Sequence, residues 1–359
     1  MKSITFLMPP FQYSPVGGFK VILQYANKLS ADGYDVRIVY ADSTKYKKIP
    51  LKIKLKLLIK SLLFKLNILK RTVRIWFPLN EQVKEYNVYS LDYINVPKSD
   101  LYVCTAVDTA YFLDKYPICE TRKYYFIQDY EKWGRTDSEV RETYHYRLNK
   151  IVISRWLKNI LENEEHVDCS LVPNGFNFKE FYLTIPVEQK DKYTLSLLYH
   201  EADRKDCKTA FAAIDIVKNR FPQLQVNIFG TPARPICLPE WYNYYCNPSK
   251  EAHLKINNES AIYVASSKEE GWGLTIGEAM LCGQAVACTD NRGYKEMAKD
   301  KLTALLSPVG NAEALATNII YLIENDEERR KIALNGLSFI KQLSEDKSYK
   351  LFKSALNIQ

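Results

Sequence analysis

The chain has 359 residues, 47% of them hydrophobic and 26% charged, with 50 Lys+Arg against 42 Asp+Glu for a net charge of +8. That length suits two domains of the usual ~100–200 residues, and the composition excludes wholesale disorder, collagen-like repeats and a disulfide-stapled miniature. Eight cysteines (Cys104, Cys119, Cys169, Cys207, Cys237, Cys246, Cys282 and Cys288) are scattered without a CxxC pair, and the four histidines lack a metal-ligand spacing. Reduced thiols in a cytoplasmic protein without structural zinc are the expectation. The opening MKSITFLMPP is too short, and too soon broken by proline, for a secretory segment.

Residues 3 to 8 read as a short buried strand, followed by a turn-forming stretch from Pro9 to Gly18. In FKVILQYANKLSADG, Val21, Ile22, Tyr25, Ala26 and Leu29 recur at helical spacing until Gly33 stops the helix. YDVRIVYA is then a second strand, which makes the N-terminus a strand-loop-helix-strand unit of the parallel-sheet type.

The positive charge lies next. Between Asp42 and Glu81 there are eleven Lys/Arg and no acidic residue, and the rest of the chain holds 39 basic against 42 acidic residues, a remainder of −3. On a helical wheel, Leu51, Leu55, Leu58, Ile59, Leu62, Leu66, Leu69, Val73, Trp76 and Phe77 share an arc of roughly 100°, with Lys52, Lys56, Lys60, Lys70, Arg71 and Arg74 beside it. This predicts a basic amphipathic helix, or two with a break. Its lysines interrupt any apolar run of the ~20 residues that would span a bilayer. Segment 45–77 is therefore expected to lie on an anionic membrane surface, through Lys52, Lys56, Lys60, Arg71 and Arg74. The plainer alternative is a surface helix packed on its own domain. Nucleic acid is disfavoured, because Phe64, Trp76 and Phe77 are too few and poorly spaced to stack bases.

Further strands are expected at 101–105, 124–128, 150–154 and 170–172. The irregular, polar stretch that follows, with Pro186 and EQKDK, reads as a linker. A second alternating set then appears: strand 194–199, helix 208–221, strands 225–229 and 261–265, helix 275–282 and strand 285–288. The expected organisation is an N-terminal domain over 1–178, a linker over 179–192 and a C-terminal domain over 193–341, with a helix at about 342–359 packing back on the first. Two such α/β halves leave a cleft, and ligands bind beyond the carboxyl ends of the strands.

The strongest chemical signal is SSKEEGWGLTIGEAMLCGQAVACTD, from Ser266 to Asp290. A loop carrying Glu270, Gly271, Trp272 and Gly273 leads from a strand into a helix opening near Thr275. Glycines let a backbone approach a ligand closely, and the free N–H groups of a helix start suit a pyrophosphate. Glu270 in the loop and Glu278 on the opening turn of the helix flank that position, where each carboxylate can accept hydroxyl hydrogen bonds, a ribose on one side and a sugar on the other. The plainer account, glutamates favouring a helix dipole, explains one Glu but not the pair with its glycines. Gly17-Gly18, between a strand and a helix, is a weaker signal of the same kind. It lacks GxGxxG, which argues against a nicotinamide or flavin site.

EGWGLTIGEAMLCG resembles the paired-glutamate motif of the retaining family 4 glycosyltransferases, whose GT-B fold is α/β, with two Rossmann-like domains facing across a cleft. The Gly17-Gly18 loop, VISRWLKNIL, VPNGFNFKEF, the pair YH with Lys205 after it, FG at 229–230 and RGYKE at 292–296 occur in the family's order. YFIQDYE and YHEADRK look most like a bacterial branch associated with surface polysaccharides, including rhamnosyltransferases.

The resemblance implies that Glu278 holds the ribose of a UDP-, GDP- or dTDP-linked sugar and Glu270 a hydroxyl of the donor sugar. Gly271, Trp272, Gly273, Leu274 and Thr275 would frame the diphosphate or sugar, and main-chain groups at Gly230 and Thr231 the base. Lys205 fits the family's diphosphate lysine, but the usual arginine position holds His200, so either Arg204 supplies the guanidinium or His200 is a weaker donor. Where many relatives have a histidine, Gln128 or Asp129 stands. Asp129 can orient an acceptor hydroxyl, act as its base, or simply make a strand-end hydrogen bond. The implied reaction retains anomeric configuration and needs neither metal nor other cofactor. A glycan acceptor, lipid-linked at the inner face of the plasma membrane, would bind the N-terminal half. The alternatives are a nucleotide-sugar epimerase, or a nucleotide-binding partner subunit without turnover.

Overall fold

A computed structural model of the chain describes residues 1–42, 55, 56, 59, 62–64, 71–236 and 238–358. The chain divides into two compact units, residues 1–173 with 349–359 and residues 174–348.

In the first unit, β1 (Ser3–Met8), β2 (Asp35–Ala41), β3 (Lys84–Val88), β4 (Leu101–Cys104), β5 (Lys123–Ile127), β6 (Asn149–Val152) and β7 (Cys169–Leu171) form one sheet in the order β3-β2-β1-β4-β5-β6-β7. Every pairing is parallel. The connections include α1 (Gly17–Ala31), α2 (Val107–Asp114), α3 (Asp137–Glu142) and α4 (Arg155–Asn159). The apolar stripe of α1 is buried as its spacing predicts, from Val21 and Ile22 through Tyr25 and Ala26 to Leu29. The unforeseen strand, β3, has the polar sequence KEYNV. It pairs only with β2, at the sheet edge, where one side is free to carry charge.

The basic segment corrects one expectation. Among the described residues Leu55, Lys56, Ile59 and Leu62–Phe64 are helical, and Leu55, Ile59 and Leu62 are 54–60% exposed. Val73–Ile75, however, is a 3-10 turn, with Val73 and Phe77 buried. Arg71 pairs with Asp42 at 2.6 Å and Arg74 with Glu85 at 2.5 Å, while the Trp76 indole N–H donates to the Gln12 carbonyl at 3.1 Å. Arg71 and Arg74 thus fasten the segment's end to its own unit through ion pairs. Their partners, after β2 and on β3, stand 29 and 11 residues away and are invisible on a helical wheel. Lys56 is exposed. Lys52 and Lys60 lie outside the described residues.

In the second unit, β8 (Thr194–Leu198), β9 (Gln225–Gly230), β10 (Tyr242–Cys246), β11 (Ile262–Ala265), β12 (Ala285–Thr289) and β13 (Leu305–Ser307) form a parallel sheet in the order β10-β9-β8-β11-β12-β13. Helices α5 (Cys207–Arg220), α6 (Lys250–Glu259), α7 (Leu274–Leu281), α8 (Ala312–Glu324) and α9 (Asp326–Ile340) accompany it. The core joins Leu195, Val226 and Ile262 of the strands to Ile214 and Val217 of α5 and Ile319 and Leu322 of α8.

The stretch 179–192, expected as a linker, lies within this unit. Val187 enters the core, and the buried Lys190 ammonium donates to the carbonyls of Asn257, Asn258 and Ser260 at the end of α6. A polar sequence here caps helix carbonyls, which a pattern search scores as loop. The last helix, α10 (Glu345–Ala355), carries residues 349–355 into the first unit. There Phe352 stacks on Tyr25 with centroids 4.3 Å apart, and Tyr349 and Lys353 both bond Asp32 at 2.7 Å.

Both strand orders reverse direction at a switch point, between β1 and β4 and between β8 and β11. Loops at the carboxyl ends of those strands are where such sheets hold ligands. Among the described residues no helix is long and apolar enough to cross a membrane, and the cysteines are free thiols.

Candidate active site in the second unit

The loops that follow β8 and β11 meet at the switch point. The Lys268 N–H donates to the Arg204 carbonyl at 2.8 Å, and the Ser266 hydroxyl reaches the carbonyls of Lys205 (3.2 Å) and Asp206 (2.8 Å). These bonds hold the 3-10 turn Asp203–Lys205 against the second loop. Lys205 Nζ then donates to Glu270 Oε1 at 2.5 Å, the Ser267 hydroxyl donates to the same oxygen at 2.7 Å, and Arg204 Nη1 lies 3.7 Å from Glu270 Oε2. Lys205 and Glu270 line a pocket with Tyr263, Ser267, Thr275 and Tyr294.

The Glu270 side chain is only 11% exposed. Burial alone would push its carboxyl up; Lys205, Arg204 and the Ser267 hydroxyl outweigh burial and hold it below the usual value. Glu270 is therefore an ionised acceptor at neutral pH. Partial desolvation, then the charges of Lys205 and Arg204, push the His200 imidazole down, so it is neutral there. Its Nδ1 accepts the Ala202 N–H at 2.9 Å, which leaves the ring proton on Nε2.

Two glycines make the loop possible. Gly273 caps α7 with φ +99°, and a Cβ there would stand 2.7 Å from the Tyr294 ring. At Gly293 a Cβ would collide with the Glu270 carbonyl. Leu274 and Thr275 open α7, so their N–H groups belong to the unsatisfied first turn. Glu278, one turn further in, is buried. Tyr263 on β11 feels both Glu278 and Glu270; burial first, and then these carboxylates, push its phenol up. Gly271 and Trp272, in the loop itself, are buried, whereas Thr231 is exposed. Gly230 has a packing reason of its own, since a Cβ would strike the Tyr199 carbonyl.

The structure thus brings Glu270, Lys205, Arg204, His200, the glycine loop and Glu278 into one neighbourhood. It places Gly17, Gly18 and Asp129 in the first unit. Gly17 and Gly18 open α1 after β1, and the Gln128 amide packs 3.4 Å from where a Gly18 Cβ would be. Asp129 Oδ1 accepts the Tyr130 N–H at 2.9 Å. Beside it, Glu131 Oε2 accepts the Val107 N–H at the start of α2, at 2.9 Å. Burial, reinforced by Asp129, pushes the Glu131 carboxyl up to about 8 against the pull of the Val107 N–H. Glu131 in YFIQDYE, Ser267 in SSKEEG and Tyr294 in RGYKE carry no site signal in the sequence, because the Val107–Glu131 and Tyr294–Ser267 bonds join residues 24 and 27 positions apart.

Two Rossmann-like units, each built on one parallel sheet, give the chain the GT-B fold. Within it, residues 185–339 match the family described as Glycosyl transferases group 1. The chain is 33% identical over 185 residues to the putative glycosyltransferase EpsD of Bacillus subtilis (strain 168), covering 48% of this chain and 44% of that one. It is 23% identical to the N,N'-diacetylbacillosaminyl-diphospho-undecaprenol alpha-1,3-N-acetylgalactosaminyltransferase of Campylobacter jejuni, over 54% of each. The chain thus spans about half the length of these curated relatives. Among solved structures, Anabaena HepE in complex with UDP-glucose superposes with a TM-score of 0.72 at 15% identity, over 99% of this chain and 100% of that one.

Proposed function

We propose that the protein is a retaining, metal-independent glycosyltransferase that moves a hexose-type sugar from a nucleotide-sugar to a lipid-linked glycan acceptor in bacterial surface polysaccharide assembly. The observation that carries this reading is Glu270, held ionised by Lys205 at the mouth of a helix-start loop. A carboxylate so placed binds a sugar hydroxyl, and an ammonium has three donors, so Lys205 can hold Glu270 and a phosphate oxygen together. Arg204, the N–H groups of Leu274 and Thr275, and His200 Nε2–H add to the diphosphate's cradle. Glu278 holds the ribose. The acceptor hydroxyl bonds to the anomeric carbon as the bond to the phosphate oxygen breaks, and its proton passes to that leaving oxygen. No protein nucleophile is needed, and the glutamates are binders.

HepE's UDP-glucose complex makes UDP-sugars the first donors to try, and the rhamnosyltransferase-like motifs add dTDP-rhamnose. The Campylobacter relative's name includes an undecaprenol diphosphate, which supports a lipid-linked acceptor. Exposed Leu55, Ile59 and Leu62 beside Lys56 support docking on an anionic leaflet. Slow hydrolysis of UDP-, GDP- and dTDP-sugars, with and without EDTA, tests the reading. One donor should be consumed, unaffected by chelation, and Glu278→Ala should raise its KM. If no donor shifts the melting temperature or is consumed, the reading fails.

A further inference from the structure

Tyr294 is 3% exposed, and its phenol donates to the Ser267 hydroxyl at 2.9 Å, whose own proton goes to Glu270 Oε1 at 2.7 Å. Ser267 has one proton to give, and the incoming phenol bond occupies the side of its oxygen that would otherwise seek a donor elsewhere. The direction of the relay is thereby set, and it ends on the carboxylate.

The two ends are also tied through the backbone. The Ser267 carbonyl accepts from Thr289 Oγ1 (2.6 Å) and Asn291 Nδ2 (2.9 Å), and Asn291 Oδ1 accepts the Tyr294 N–H at 3.0 Å. The Tyr294 ring lies against Gly273, and neighbouring Gly293 lies against the Glu270 carbonyl. One residue thus touches both the support of the carboxylate and the glycine that caps α7.

We propose that Tyr294 is a positioning residue for donor transfer, acting through Ser267 to hold the Glu270 carboxylate. This rests on the transferase reading. Tyr294→Phe keeps the ring and removes only the hydroxyl. With the donor that the wild type hydrolyses, kcat should fall about tenfold, the scale of one hydrogen bond. Affinity for that donor's nucleoside diphosphate, by calorimetry, should stay at the wild-type value, and the melting temperature should fall by no more than the loss of one buried hydrogen bond gives, which a purely structural role does not predict. Because the effect passes through Ser267, the double variant Tyr294→Phe/Ser267→Ala should be no slower than Ser267→Ala alone. A full-rate Tyr294→Phe enzyme, or losses that multiply in the double variant, would overturn the proposal. A wild type that neither binds nor hydrolyses any nucleotide-sugar overturns the transferase reading itself, and the role of Tyr294 with it.

Discussion

At Glu270, burial and ionisation pull in opposite directions, and Lys205 decides the outcome. Lys205→Met removes the strongest of the charges that keep the carboxyl low, so burial then prevails and the group titrates higher. On the proposed transfer, the acid limb of the donor-turnover pH profile should move toward neutrality, and the maximal rate should fall about 100-fold, the scale of one removed cation at the leaving group. Glu131 shows the opposite balance. Its carboxyl keeps its proton up to about 8 in the folded state, while the unfolded chain releases it near 4.5. The folded state binds more protons in that window, so stability falls as pH rises through it. Urea unfolding at pH 5, 6.5 and 8 should show this decline, and Glu131→Gln, which mimics the protonated form, should flatten it. The residue types at Glu270 and Lys205 announce binding chemistry in the sequence. Glu131 does not, because a raised pKa depends on which neighbours exclude water.

The basic segment separates two kinds of charge at the scale of elements. Arg71 and Arg74 are ion-paired within the first unit, whereas Leu55, Ile59 and Leu62 expose an apolar stripe next to Lys56. Arg74→Ala should lower the melting temperature and leave liposome flotation unchanged, since it strips Glu85 of a partner in a half-buried setting. Replacing Leu55, Ile59 and Leu62 by serine should abolish flotation with anionic vesicles at an unchanged melting temperature. The converse pattern would make the stripe a packing surface. Periodicity exposed the amphipathic character of this segment but not where it stops, because 3.6-residue spacing carries no record of distant Asp42 and Glu85. For the same reason the apolar strands β1, β2, β8 and β11 were legible, while the edge strand β3 was not: a run is recognised by its buried faces, and an edge has fewer of them.

At the scale of the whole molecule, the chain's end is part of its beginning. Phe352 is fully buried against Tyr25, Phe126 and Phe6, although α10 begins outside the first unit. Phe352→Ala should destabilise that unit by about 3–5 kcal/mol, read as a lowered denaturant midpoint. The sequence by itself determined the α/β class, the two alternating halves and the glutamate-glycine loop, because period, glycine placement and charge are local properties. Only the tertiary structure decided that Lys205 neutralises Glu270, that Tyr294 stands behind it and that residues 179–192 belong to the second unit. These rest on groups distant along the chain, whose contacts exist only once the second unit has folded around its own sheet.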